Sequence, residues 1–268
     1  MEKNKRYDII FWDVDGTLLN FLKSEHFALT DTLHKYGLPS NDEIVGIYSE
    51  INEKCWKKLE RGEVEKSWVL VHRFEELFDY LHVTDVDVKA FQKHYQYMLG
   101  SVFYFQDESK ELLEKLKGDF KQYIVTNGVE DTQRRKLKLS GITDLADGIF
   151  ISECIGYEKP NPLFFEGCMK EIEKDLGSVP DKSRILIVGD SLTSDMKGGN
   201  QFGIHCCYYK NDQETKTGGG KAVSGAGKDA AEKIQNTGIE IDGIRLDYRI
   251  GNLWEVEQIL WQNPQTRN

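Results

Sequence analysis

The chain predicts an α/β fold, a Rossmann-like doubly wound parallel sheet with an inserted α-helical unit. Two observations carry this. After Gly128, short apolar runs alternate with amphipathic stretches, the pattern of βαβ units around a parallel sheet. Between Leu19 and about Val102 that alternation stops, and apolar residues recur at helical spacing instead.

The elements follow in order. Ile9 to Trp12 is an apolar run that reads as a buried strand, with Asp13-Val14-Asp15-Gly16-Thr17 directly behind it. Leu29, Leu33 and Tyr36, then Trp68, Val71, His72, Glu75 and Phe78, carry helical spacing. The second strand is the run ending Tyr123-Ile124-Val125-Thr126, and a helix is expected near Asp131 to Ser140. A strand Gly148 to Ile151 and a helix Pro162 to Lys174 come next, with Asn161 as N-cap and Pro162 at the first helical position. The series continues with a strand Arg184 to Val188, a helix Asp195 to Gln201 and a strand Ile204 to Tyr208. Asp247-Tyr248-Arg249-Ile250 then leads into a terminal helix, Leu253 to Leu260. The expected division is a core of residues 1–19 and 103–268 and a helical unit of residues 20–102, with Asn20, Phe21 and the chain near Val102 as hinges.

Four of the breaks between elements carry chemistry. Asp13 and Asp15 are two residues apart in extended chain, so they point to the same side. At a strand's carboxyl end that side faces the crevice where α/β sheets bind ligands. Two carboxylates there can divide phosphoryl transfer between a nucleophile that also binds metal and a proton shuttle. Thr126, with Asn127, Gly128 and nearby backbone N–H groups, offers neutral donors to a phosphate. Lys159, just before a helix begins, can neutralise both phosphoryl oxygens and a nucleophilic aspartate. Asp190 stands at the end of a fully apolar strand, and Asp195 opens the next helix, as its N-cap or as an outer-shell metal residue. Magnesium takes one or two carboxylates plus waters and substrate oxygens, a set that Asp13, Asp190 and the Asp15 carbonyl can supply.

In this order, DVDGT, TNG, EKP and GDSLTSD resemble the four motifs of the haloacid dehalogenase superfamily of phosphohydrolases. The resemblance implies a Mg2+-dependent phosphomonoester hydrolase that works through an aspartyl phosphate. It makes Asp13 the nucleophile and Asp15 the general acid/base. Thr126, Asn127 and Lys159 would hold the phosphate, and Asp13, Asp15 (through its carbonyl) and Asp190 the metal. Dehalogenases of this scaffold need no acid for a halide and usually lack the second aspartate, so Asp15 points to phosphate.

The helical unit corresponds to the α-helical cap that many members carry at this position. Closing such a cap excludes water and strengthens the charge interactions beneath it. Cys55 to Glu63, Arg73-Phe74, Thr126 to Gln133 and Gly189 to Gly199 resemble the pyrimidine 5′-nucleotidase-like branch. This implies a cytoplasmic enzyme acting on nucleoside monophosphates. Phe21 is a candidate to stack on the base, while Trp56, Trp68 and Phe74 are expected to pack.

Composition narrows the partners. A net charge of −10 over 268 residues disfavours nucleic-acid polymers and anionic membranes. No apolar stretch reaches a membrane-spanning length, and the charged start predicts no signal peptide. The five cysteines contain no CxxC pair and read as reduced core thiols; the six histidines show no metal-ligand spacing. The Gly/Lys-rich segment 213–227 invites a phosphate-loop reading, but Ala222 and Asp229 stand where that motif needs glycine and a hydroxyl, so a flexible insertion is expected.

The rival readings share the motifs. A phosphatase of sugar phosphates or phosphoglycolate would use every one of them. A phosphomutase would need a second acid/base from the cap, and a phosphonatase a Schiff-base lysine, for which Lys23 is the candidate. A catalytically silent binding module would have no need of the adjacent carboxylates.

Overall fold

A computed structural model describes residues 4–211 and 235–261. Seven strands form one sheet: β1 (Ile9–Trp12), β2 (Lys121–Thr126), β3 (Gly148–Ile151), β4 (Ile185–Gly189), β5 (His205–Tyr209), β6 (Gln235–Ile241) and β7 (Ile244–Ile250). Their order is β3-β2-β1-β4-β5-β7-β6, and every pairing is parallel except β6 with β7.

The strands sort their side chains by parity, as the period of two requires. Ile10, Trp12, Ile124, Leu186 and Val188 face one apolar cluster, which helices α5 (Ser109–Leu116), α6 (Glu130–Ser140) and α10 (Val256–Leu260) cover. Ile9, Phe11, Tyr123, Val125, Ile185 and Ile187 face the other, covered by α8 (Pro162–Leu176) and α9 (Lys197–Phe202). A sheet buried on both faces explains why its central strands are apolar throughout. The short helix α7 (Ser152–Ile155) leaves the end of β3.

Between β1 and β2 stand four longer helices, α1 (Phe21–Lys35), α2 (Asp42–Glu60), α3 (Lys66–Leu81) and α4 (Val88–Leu99). They close around a third cluster of their own, centred on Leu29, Tyr48, Phe74, Phe91 and Tyr95. Asn20, Asn41 and Asp87 cap α1, α2 and α4 with side-chain oxygens, each stopping the preceding chain from entering the helix. The chain leaves the sheet at Leu19 and returns beside it, where Leu19 bridges Phe105. No helix among the described residues is long and apolar enough to cross a membrane.

The structure departs from the sequence reading in four places. β6 and β7 form an antiparallel hairpin at the sheet edge, joined through Asp242 and Gly243, both at positive φ. The helix expected from Asp195 begins as a wide π-helical turn, Leu192–Met196, capped by Ser191, and becomes α-helical only at Lys197. Its N-cap is therefore Ser191 and not Asp195. The terminal helix splits into a 3-10 turn, Leu253–Glu255, followed by α10. Cys154 is exposed, whereas Cys55, Cys168, Cys206 and Cys207 are buried. Segment 213–227 lies outside the described residues.

Candidate active site

The strand order reverses at β1, between β2 and β4 on one side and the other, and an open α/β sheet binds ligands at the carboxyl ends beside such a switch point. Asp13 follows β1, Thr126 ends β2 and Asp190 follows β4, so three distant stretches of chain deliver polar groups to one edge. The turn after β1 needs Gly16. Its φ is +94°, and a Cβ there would lie 2.3 Å from Asp190 Oδ2.

One carboxylate oxygen from each of Asp13, Asp190 and Asp195 falls within 4.8 Å of the others. Lys159 is 1 % exposed and spends all three of its protons here. It donates to Asp13 Oδ1 at 2.8 Å, Asp195 Oδ1 at 2.6 Å and the Val125 carbonyl at 2.8 Å. The Thr17 hydroxyl lies 3.1 Å from Asp13 Oδ2 and 3.2 Å from Asp190 Oδ1, where its one proton serves either carboxylate. Asp195 is fully engaged, since its second oxygen accepts from Ser191 N at 3.2 Å.

Crowding of like charges away from water shapes the electrostatics. Burial, opposed by Lys159 and reinforced by Asp195 and Asp15, pushes Asp13 up to about 7. Burial and then the charges of Asp13 and Asp195 hold Asp190 well above the ordinary carboxylate range. Burial also raises Asp195, against the pull of Lys159. Burial alone would lower Lys159, but Asp13 and Asp195 outweigh it and keep the ammonium charged. A divalent cation fits such a donor set, because it would relieve the mutual repulsion of Asp13 and Asp190.

Asp15 enters a different environment. Its carboxylate turns to α6, where Lys136 Nζ donates to Oδ1 at 2.5 Å and Gln133 Nε2 to Oδ2 at 2.5 Å. Thr126 is buried and its hydroxyl accepts from Gly128 N at 3.0 Å, which leaves the hydroxyl proton to donate. Asn127 is committed elsewhere. Its Oδ1 accepts from Lys159 N and its Nδ2 donates to the Lys159 carbonyl, both at 2.8 Å, so the side chain clamps the loop that carries Lys159. Phe21 is the first residue of α1 and packs against the helical cluster. Trp56 and Trp68 pack there too, and Phe74 is fully buried.

Sequence reasoning missed four contributors: Thr17, Gln133, Lys136 and Glu60. Lys136 is fully buried, which a lysine tolerates only with a partner. Its spacing of three from Gln133 places both on one helix face, and that was the available signal. Glu60, the last residue of α2, accepts from the hydroxyls of Ser191 (3.3 Å) and Thr193. On the other flank, Lys66 at the start of α3 donates to Ser152 Oγ at 2.6 Å and lies 3.5 Å from Glu158.

The comparisons agree with this architecture. Residues 7–203 match the haloacid dehalogenase-like hydrolase family. The chain is 31 % identical over 211 residues to the HAD-hydrolase YfnB of Bacillus subtilis, covering 78 % of this chain and 87 % of YfnB. It is 31 % identical over 204 residues to the pyrimidine 5′-nucleotidase PynA of Streptococcus pneumoniae, covering 76 % of this chain and 84 % of PynA. Phosphoglycolate phosphatase of Aquifex aeolicus is 30 % identical over 198 residues, or 73 % and 81 % of the two chains. A crystal structure of B. subtilis YfnB bound to magnesium superposes with a TM-score of 0.78 at 28 % identity, over 96 % of this chain and 99 % of that one. With three polar strand ends and the Lys159 loop converging on one sheet edge, and a match running through all of them, the chain belongs to the haloacid dehalogenase-like hydrolases.

Proposed function

We propose that this hydrolase cleaves phosphomonoesters through an aspartyl phosphate on Asp13, and that its substrates are pyrimidine nucleoside 5′-monophosphates. The observation that carries the chemistry is the divergence of Asp13 and Asp15. They leave one strand end two residues apart, yet Asp13 lies beside Lys159 and Asp190 while Asp15 is held by Lys136 and Gln133. Distinct environments for two neighbouring carboxylates suit distinct roles.

In this reading Asp13 attacks phosphorus. Lys159 and the Thr126 hydroxyl hold the phosphoryl oxygens, and Asn127 keeps Lys159 in place. Asp15 protonates the leaving oxygen and then takes a proton from the water that hydrolyses the acyl phosphate. Asp13, Asp190 and the Asp15 carbonyl would hold Mg2+, with Asp195 behind them. When bound, the metal draws negative charge off the phosphoryl group. Residues 20–102 act as a cap over the core of residues 1–19 and 103–268, excluding water from the site. Phe21, at the junction, stacks on the base. A cytoplasmic location goes with the reduced thiols and the small-molecule substrate.

The nucleotide assignment is supported by the likeness to the pyrimidine 5′-nucleotidase PynA. The likeness to phosphoglycolate phosphatase supports a second reading, in which the leaving group is a small carboxylated alcohol. Initial rates with Mg2+ on UMP, dUMP, dTMP, purine nucleotides, sugar phosphates and phosphoglycolate separate the two. Preference for the pyrimidine nucleotides, lost with Asp13→Asn, is the expected result. Preference for phosphoglycolate keeps the chemistry and replaces the substrate; no turnover of any ester overturns both.

A further inference from the structure

Glu60 belongs to the helical unit, yet it contacts the loop that carries two of the site's carboxylates. We infer that Glu60 is a positioning residue that couples docking of the helical unit to the geometry of the Asp190–Asp195 loop, and through it to cation affinity. The cation part of this inference rests on the function proposed above; the coupling itself does not.

The connection can be followed atom by atom. Glu60 accepts from Ser191 Oγ at 3.3 Å and from Thr193 Oγ1. The same Ser191 oxygen accepts from Ser194 N at 3.1 Å, which closes the turn. The Ser191 N–H donates to Asp195 Oδ2 at 3.2 Å, and Ser191's carbonyl accepts from the amides of Asp195 and Met196 at 3.1 Å each. Ser191 is thus held on one side by Glu60 and on the other holds Asp195, whose remaining oxygen fixes Lys159.

The loop needs an external hold. It is a π-helical turn, a wide and uncommon geometry whose hydrogen bonds run one residue further than in an α-helix. Two hydroxyls that converge on one carboxylate, from Ser191 and Thr193, pin its beginning. Burial raises Glu60, while the Thr193 and Ser191 hydroxyls stabilise its charge, so the carboxylate relies on these two donors. Withdrawing the helical unit would remove the acceptor and release the turn. Outer groups that orient metal-binding carboxylates typically contribute 10–100-fold in metal affinity.

Lys66 supplies the control. It ties the same α2–α3 corner to the other flank, through Ser152, Glu153 and Glu158, without touching residues 190–195. Losing that tie leaves the Glu60 contacts in place, so Lys66→Met should speed exchange in the turn less than Glu60→Ala does.

The test compares metal-free wild type, Glu60→Ala, Glu60→Gln, Thr193→Val and Lys66→Met by amide hydrogen exchange. In parallel, Mg2+ binding is measured by calorimetry. Expected is roughly tenfold faster exchange of the Ser194, Asp195 and Met196 amides in Glu60→Ala, with a Mg2+ Kd weakened by about the same factor. Glu60→Gln, which keeps an acceptor, should fall between. Thr193→Val should act in the same direction and add less than its own effect on top of Glu60→Ala. Unchanged exchange in Glu60→Ala would overturn the coupling, and acceleration by Lys66→Met that adds in full to that of Glu60→Ala would overturn Glu60 as its carrier. Faster exchange with an unchanged Mg2+ Kd would overturn its link to the cation. If wild type itself binds no Mg2+, the metal assignment of the proposed function fails, and the exchange data still decide the coupling.

Discussion

The carboxyl edge of the sheet and the interior of the helical unit bury polar groups in opposite ways. At the sheet edge, Asp13, Asp190 and Asp195 crowd against one another with a single ammonium among them, and each carboxylate is pushed up. In the helical unit burial raises Glu25 as well, but the charges there are spaced along a chain. Arg73 Nη1 donates to Asn52 Oδ1 at 2.7 Å, Asn52 Nδ2 donates to Glu25 Oε1 at 2.7 Å, and Ser49 also donates to Glu25. The Arg73 guanidinium lies 4.9 Å and 5.1 Å from the ring centres of Phe74 and Tyr95, within cation–π range. Concentrated like charge sacrifices stability for reactivity; a graded chain of opposite charge and amides fixes the packing of four helices.

The largest test of this contrast is Asp13→Asn. It should lower kcat/KM by about 10⁴-fold or more, since it removes the proposed nucleophile. It should leave the protein folded with an unchanged or raised Tm, because it removes one of the mutually repelling charges. A fall in Tm measured by calorimetry would show that the acidic cluster contributes to the fold, and the contrast would break.

Arg73→Leu is the complementary change. It leaves Glu25 and Asn52 buried without their cation, a loss of roughly 3 kcal/mol. Urea unfolding should show that loss. The folded enzyme should keep most of its activity on a small phosphate ester, whose proposed contacts are at the sheet edge. Loss of activity without loss of stability would place Arg73 in substrate binding.

These two variants also mark what the sequence could disclose. That Asp13 and Asp190 meet was legible because each follows an apolar strand directly and a strand end has one direction to point, and Lys159 was legible from the Asn161-Pro162 helix start just behind it. Asp195 was legible as a functional residue but not as an ion-pair partner, since its N-cap reading depended on a helix that starts two residues later, after a π-helical turn. Asn127 was read as a phosphate donor from its neighbours, yet both ends of its amide hold the Lys159 backbone. The edge hairpin had a signal that was passed over. Ile244, Leu246, Tyr248 and Ile250 alternate with polar residues behind an Asp-Gly turn, a strong hairpin pattern. Glu60, Lys66 and Lys136 had none of comparable strength, because a charged residue on a helix reads as solvated until the surface it docks against is known.

Lys136→Met removes one of the two groups that hold Asp15, while Gln133 remains. The expected loss in kcat is about tenfold, smaller than the 10²–10⁴-fold expected of Asp15→Asn, since a general acid/base contributes in that range and its partner only aims it. KM for a small ester should stay put. Equal losses in the two variants would mean that Lys136 itself touches the reacting atoms.

The last effect is on stability against pH, read as a slope, and its sign is the sharpest part. Asp13, Asp190 and Asp195 all hold their protons more tightly in the fold than in the unfolded chain. Between the ordinary carboxylate range and about 7 the folded state therefore binds more protons, and stability falls as pH rises through that window. The slope is at most about 1.4 kcal/mol per pH unit for each proton held. Metal-free protein unfolded by urea at a series of pH values should show the decline, and Asp13→Asn should flatten it. Mg2+ should remove it as well, because the cation binds the deprotonated carboxylates and its affinity rises with pH where they still hold protons. A metal-free protein whose stability instead climbs from pH 5 to 7 would mean that Lys159 and the hydrogen bonds around it compensate the acidic cluster in full, and that no charge is being held in reserve at the sheet edge.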